Sequence, residues 1–376
     1  MKNVRGAMGH RSTSRAAAVT VGILAGSMAL AACSSSSPST SGGTSGATSS
    51  AKVGVSLILK TLSNPYFVSM EKDAKTEAAA DNVSLTVAAG KQDGDTQTQI
   101  SAIDNAISRG DKGILITENG NAVNTELAKA RAAGLYVIAL DTVPTPASTV
   151  DITYGTDNEA AGKLIGEYTA AKLAGQKAVI AMLDLFNDQV VSVDIARDHG
   201  FLEGMGIDPG STTQNGQEAK SGKYTGGTGG DYVIACHQPT TGAIPGGKTA
   251  MENCLSANPD INVVYTINEP AADGANQALK AAGKTGVTIV TIDGSCNYVN
   301  GLLKDGTIAA DSAQYPGKMA SIGVKTIADI ARGGTKPTLP SGKDFIDTGT
   351  ALITSQPIAG ITSVTPASAA GTCWGS

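Results

Sequence analysis

The chain predicts an α/β protein of two doubly wound lobes with parallel sheets, and three observations carry that prediction. Short β-branched runs alternate with amphipathic helical stretches, the alternation restarts about halfway, and polar residues stand repeatedly where a strand ends. The folded part, about 325 residues from Ala51 onward, is more than one core usually serves, so two lobes are expected. The first series opens with Val53 to Leu59 as a buried strand and Tyr66 to Ala80 as a helix. Strands follow at Ser84 to Ala88, Gly113 to Thr117 and Tyr136 to Leu140, with helices at Thr96 to Ser108 and Ala122 to Ala133 between them. After Ile152 to Gly155 a second series begins with helix Asn158 to Leu173, strand Ala178 to Leu183 and helix Val190 to Gly204. Strands Tyr232 to Ala235, Asn262 to Thr266 and Val287 to Ile292 then alternate with helices Lys248 to Ser256 and Glu269 to Ala282.

The N-terminus sets the compartment. Lys2, Arg5, Arg11 and Arg15 precede an apolar run over Ala16 to Ala29, and Leu30-Ala31-Ala32-Cys33 resembles a lipobox. Residues 1–32 are therefore expected to be a cleaved lipoprotein signal and Cys33 the lipid-bearing first residue. The run is broken by Gly22, Gly26 and Ser27 and is short for a membrane span. Residues 33–50, nearly all Ser, Thr, Gly, Pro and Ala, form a tether that cannot bury a core. Four of the 28 Lys and Arg, and none of the 33 Asp and Glu, lie before Cys33, so cleavage takes the net charge from −5 to about −9. That balance argues against nucleic acid, whose backbone demands clustered positive charge. The expectation is an extracytoplasmic, acidic, monomeric protein attached to the membrane only through its lipid.

Cys236, Cys254, Cys296 and Cys373 remain, an even number in an oxidising compartment. Three pairings are possible. Cys236 with Cys254 closes a short loop ending on a helix, and Cys296 with Cys373 would pin the C-terminal tail; these are favoured. No CxxC spacing occurs and only His199 and His237 survive cleavage, so no metal site and no cofactor are expected. The glycine-rich segment Gly206 to Gly230 lacks the Walker lysine spacing and the strand-loop-helix order of a phosphate loop, and reads as a surface loop. Asp93-Gly94-Asp95 could open a calcium loop, but Thr98 and Asp104 stand where the glycine and closing glutamate belong, which leaves a solvated turn.

Ligands of open α/β sheets bind outside the carboxyl ends of the strands. Asn64-Pro65-Tyr66-Phe67 follows the first strand, and Asp141, Asn268-Glu269 and Asp293-Gly294 each end another. Gln314-Tyr315-Pro316 ends Ile308 to Ala313, and Arg197 sits on a facing helix. Carboxylates, a guanidinium and amides beside flat rings suit a sugar: planar groups bridge neighbouring hydroxyls, and rings cover its C–H face.

Thr61 to Phe67, Ile138 to Asp141, Gly155 to Asn158, Ala196 to Asp198, Asn268-Glu269, Ile292 to Gly294 and Gln314 to Pro316, in that order, resemble the ribose-type (type I) periplasmic binding proteins of sugar ABC importers. The resemblance covers residues 51–354 and implies two Rossmann-like lobes joined by three crossovers, with a monosaccharide clamped between them and passed to an ABC permease. Carried over position by position, Asn64, Tyr66, Phe67, Asp141, Arg197, Asn268, Asp293 and Gln314 match sugar contacts. The segment Asp231 to Ile267 and the Cys373-Trp374-Gly375 tail look more like the fructose-binding branch. Lys60, Thr142 and Gly242 depart from the ribose pattern, which suits a larger hexose, with Lys60 and His237 as additional donors; fructose comes first, ribose or another monosaccharide next. The lobes are expected at 51–156 plus 315–347 and at 157–314 plus 348–376. Hinges are expected near 156–157, at 293–294 or 314–315, and at 347–350.

Other classes fit less well. Asp141 and Asp293 could form a glycosidase pair, but no hydrolase context surrounds them. Transcription regulators with this core carry a helix-turn-helix where this chain has its signal and tether. A sensor presenting its closed form to a membrane receptor stays open.

Overall fold

The computed structural model describes residues 52–375. The expected signal and tether, with Cys33, lie outside the described residues. In chain order the first series comprises β1 (Val53–Leu59), α1 (Pro65–Ala80), β2 (Val83–Ala89), α2 (Thr96–Arg109), β3 (Gly113–Ile116), α3 (Asn124–Ala132), β4 (Tyr136–Leu140) and β5 (Ile152–Gly155). The second comprises α4 (Asn158–Leu173), β6 (Ala178–Asp184), α5 (Ser192–Met205), β7 (Ser221–Tyr224), β8 (Gly230–Pro239), α6 (Ile244–Ala257), β9 (Val263–Thr266), α7 (Glu269–Ala281), β10 (Thr288–Asp293), α8 (Cys296–Asn300) and β11 (Ala310–Ala313). The chain then runs through α9 (Pro316–Ala331), β12 (Ile346–Asp347), β13 (Ala351–Ile353) and α10 (Pro366–Ala369).

Two sheets result, ordered β12-β5-β4-β3-β1-β2 and β13-β11-β10-β9-β6-β8-β7. Every pairing is parallel except at the two edges of the second sheet, where β7 and β13 run antiparallel. Helices cover both faces, which is why β1 reads as an almost unbroken apolar run. Its side chains still alternate: Leu57 and Leu59 join Met70, Ile138 and Met319 on one face, while Ile58 joins Ile103, Ile116 and Val137 on the other. The second sheet is sandwiched likewise, Ile180 and Met182 facing one core and Ala181 and Leu183 the other.

The chain passes between the sheets three times, after β5, after β11 and between β12 and β13. These crossings are tied together. Thr348 donates its N–H to the Gly155 carbonyl at 2.7 Å, and the Thr350 hydroxyl donates to the Ala313 carbonyl at 2.8 Å. Residues 293–294 are no crossing, because β10 and β11 lie side by side in one sheet.

The glycine-rich segment holds more order than a surface loop. Its strand β7 adds to β8 and carries Tyr224 into the core, where its hydroxyl bonds the Gln176 carbonyl. A polar, glycine-rich strand with one inward side chain lacks the alternation that marks a strand in sequence. Both disulfides are present: Cys236 joins Cys254, and Cys296 joins Cys373. Among the described residues, no helix is long and apolar enough to cross a membrane.

Candidate functional site

The carboxyl ends of the strands in the two sheets face one another across a cavity of about 40 Å³. Its lining includes Lys60, Asn64, Tyr66, Phe67 and Asp141 from the first sheet's side, with Arg197, Asn268 and Asp293 from the second and Gln314 on a crossing. Thus the eight positions expected to contact a sugar, and Lys60, come together. His237 does not line this cavity. It extends from β8 to Asp184 and Glu218 instead.

Local sequence explains the placement. Asn64 caps α1, accepting from the Tyr66 N–H at 2.9 Å, and Pro65 suits the first helical turn. Tyr66 and Phe67 are buried beside Asn64, ring to ring at 5.2 Å. Asp141 follows β4 with φ +68°, a left-handed turn that Asp tolerates better than most residues. Arg197 depends on glycine: a Cβ at Gly162 in α4 would strike the Arg197 carbonyl, and one at Gly200 in α5 the Glu159 carbonyl. The two helix backbones therefore touch, and Arg197 Nε reaches Asn158 Oδ1 at 2.8 Å while Nη1 donates to the Ile267 carbonyl at 2.8 Å.

A hydrogen-bonded path links the two sides. The Tyr66 hydroxyl lies 3.1 Å from Asp141 Oδ1 and 3.4 Å from Gln314 Oε1, and Gln314 Nε2 donates to Asp293 Oδ1 at 2.9 Å. Arg197 Nη1 stands 4.0 Å from the same Asp293 oxygen. Lys60 Nζ donates to Thr142 Oγ1 at 2.8 Å and lies 3.6 Å from Asp141 Oδ2. Burial pushes the Asp293 carboxyl up to about 8 against the pull of Arg197, and burial followed by Asp141 holds the Tyr66 hydroxyl well above its ordinary range. Such buried, fixed donors and acceptors are suited to exchanging partners with the hydroxyls of a neutral ligand.

Beneath Asp293 lies a second acid layer. Asp311 accepts the Asp293 N–H at 2.9 Å, and Glu269 accepts the Ser295 N–H at 2.9 Å. Burial and the Asp311 charge push the Glu269 carboxyl well above its ordinary range. Asp93 is a site residue that sequence reasoning missed: it lines the cavity, and burial raises its carboxyl despite Lys60. It follows β2, so the strand-end rule applied to that strand finds it, whereas the reading as a solvated turn does not. Asp95 does behave as a turn residue, capping α2 through the Thr98 N–H at 3.1 Å.

Residues 55–335 match the model of the periplasmic binding protein domain. The chain belongs to this family. Among periplasmic binding proteins, it is 29% identical over 284 residues to the ribose import binding protein of Escherichia coli, covering 75% of this chain and 86% of that one. To the D-ribose/D-allose-binding protein of Pseudomonas aeruginosa it is 27% identical over 312 residues, covering 81% and 89%. The solute-binding protein of an ABC transporter from Actinobacillus succinogenes, solved with D-allose bound, shares the fold with a TM-score of 0.67 at 23% identity, over 81% of this chain and 98% of that one. These relatives bind solutes, and this chain is a binding protein rather than an enzyme.

Proposed function

We propose that this periplasmic binding protein captures a monosaccharide in the cavity between its lobes and hands it to an ABC permease. The observation that carries the reading is the opposition of Asp141, with Lys60 and Tyr66, to Asp293 and Arg197 across one cavity, since that set can satisfy hydroxyls on both edges of a sugar ring. Fructose is the favoured ligand, ahead of ribose and other monosaccharides. The protein acts as a monomer, tethered outside the cell membrane through lipid on Cys33.

Thermal unfolding of the mature chain in the presence of fructose, ribose, allose and glucose tests the ligand. A sugar that binds only the folded state at a thousand times its Kd adds about 4 kcal/mol of stability. Fructose should give the largest shift, a larger shift with ribose would replace it as ligand, and no shift with any monosaccharide would remove the reading. Metabolic labelling of the chain with a fatty-acid probe, lost in Cys33→Ser, tests the anchor.

A further inference from the structure

Away from the cavity, three residues from three elements converge. Asp184 ends β6, Asp198 lies in α5 and His237 lies in β8, and one ligand atom from each falls within 4.8 Å of the others. His237 Nδ1 stands 2.7 Å from Asp184 Oδ2 and 4.0 Å from Asp198 Oδ2. Glu218, from the glycine-rich segment, meets the other imidazole nitrogen at 2.8 Å. Asp198 is wholly buried, and neither of its carboxylate oxygens has a hydrogen-bond donor; Asp184 Oδ1 and Glu218 Oε2 lack one too.

We propose that Asp184, Asp198 and His237 hold a divalent transition-metal ion of the zinc type, with Glu218 orienting the imidazole. Charge demands a cation. Three carboxylates around one imidazole remain negative in sum even when the imidazole is protonated, and an uncompensated buried charge is expensive. Both imidazole nitrogens lie at hydrogen-bond distance from a carboxylate, 2.7 Å from Asp184 Oδ2 and 2.8 Å from Glu218 Oε1, so an ion would take the place of the proton between Nδ1 and Asp184 while Glu218 keeps the outer N–H. One nitrogen and two oxygens suit zinc, whereas calcium wants six to eight oxygens. The ion is structural: it ties β6, α5 and β8 together and gives the segment that carries Glu218 a fixed seat. The inference is independent of which sugar, if any, the cavity takes.

The full chain carrying Cys33→Ser, stripped with a chelator, is titrated with zinc and separately with calcium, following heat of binding and melting temperature. Zinc should bind one to one and raise the melting temperature by several degrees, with no shift from calcium. Asp198→Asn, which keeps shape and removes charge, should abolish the zinc shift, and Glu218→Gln should weaken zinc 10- to 100-fold. Absence of zinc binding by the parent chain at about 1 mM, or a shift that survives in both variants, overturns the proposal. Should Asp198→Asn fail to fold, the parent titration and Glu218→Gln decide between the same two outcomes.

Discussion

The indole of Trp374 meets the ring of Tyr66 edge-on, with centroids 5.3 Å apart and planes at 88°. Its N–H donates to the Asp293 carbonyl at 2.7 Å, and the neighbouring Cys373 is bonded to Cys296, so the C-terminal tail is fastened against a residue from each side of the cavity. The tail therefore belongs to neither lobe alone: Trp374 packs in the core of the first sheet while its backbone pairs with Ser295 beside the second.

Trp374 is the sole tryptophan of the chain, and that makes it a built-in reporter. Ligand binding that rearranges Tyr66 or Asp293 should change its emission, and the change should saturate with the affinity measured by calorimetry. Trp374→Phe keeps a ring against Tyr66 but leaves the Asp293 carbonyl with the Gln314 N–H alone as donor, a loss of about 1 kcal/mol of stability. Trp374→Ala should cost about 3 kcal/mol. Chemical denaturation of both variants checks the order, and equal stability of the two would show that the ring contact contributes nothing.

Asp141→Ala and Asp293→Ala should each weaken sugar binding by roughly 2 to 4 kcal/mol, about thirtyfold to several hundredfold in Kd. Losing Asp293 leaves Gln314 Nε2 without its acceptor and takes away the carboxylate beside Arg197, and losing Asp141 takes away the carboxylate beside Lys60 and the Tyr66 hydroxyl. Calorimetry measures the loss, with circular dichroism confirming the fold. A variant that binds as the parent does would exclude its carboxylate from the contact set.

What the sequence made legible and what it hid follow one physical line. Asp141, Asn268 and Asp293 were readable because a polar residue ending a buried strand has few places to point, and the parallel register brings all such ends to one edge of the sheet. His237 was not. A residue can be placed on β8 by pattern, but whether it faces the cavity or the acids beneath depends on a register shift between β6 and β8 at Ile180 and Ala181. The carboxylates around His237 come from residues 184, 198 and 218, and no spacing rule joins them before the chain folds. Helix α9 went unassigned, although its apolar face packs on β1, β3 and β4 through Met319, Val324 and Ile327.

Glu118 offers a pH test free of any ligand. It is buried just beyond β3 with Oε2 lacking a donor, and burial raises its carboxyl from 4.5 to about 7 against the pull of Lys60. Because the folded state holds this proton more tightly than the unfolded one, folding stability falls as pH rises from about 4.5 to about 7 and then levels off. The whole change is on the order of 3 kcal/mol. Glu118→Gln should therefore melt higher than the parent at pH 8 and equally at pH 4.5, and an equal offset at both values would assign the effect to packing.

Closure should accompany binding. The Ser192 hydroxyl of α5 donates to the Val143 carbonyl beyond β4 at 2.8 Å, joining the lobes away from the hinge strands, and the cavity of about 40 Å³ holds only a few waters. A sugar enters such a space only if the lobes part first. The crossings permit that, since the chain passes between sheets at residues 156–157, 314–315 and 348–350, short segments that can absorb rotation while both sheets stay rigid. A ligand that touches Asp141 on one side and Arg197, Asn268 and Asp293 on the other stabilises the closed form by its differential affinity for it. Small-angle scattering should give a smaller radius of gyration with saturating sugar than without, and Ser192→Ala should leave the bound radius unchanged. An equal radius in both states, alongside tight binding by calorimetry, would mean that the lobes rest closed and that the ligand enters by local opening of a rim loop instead.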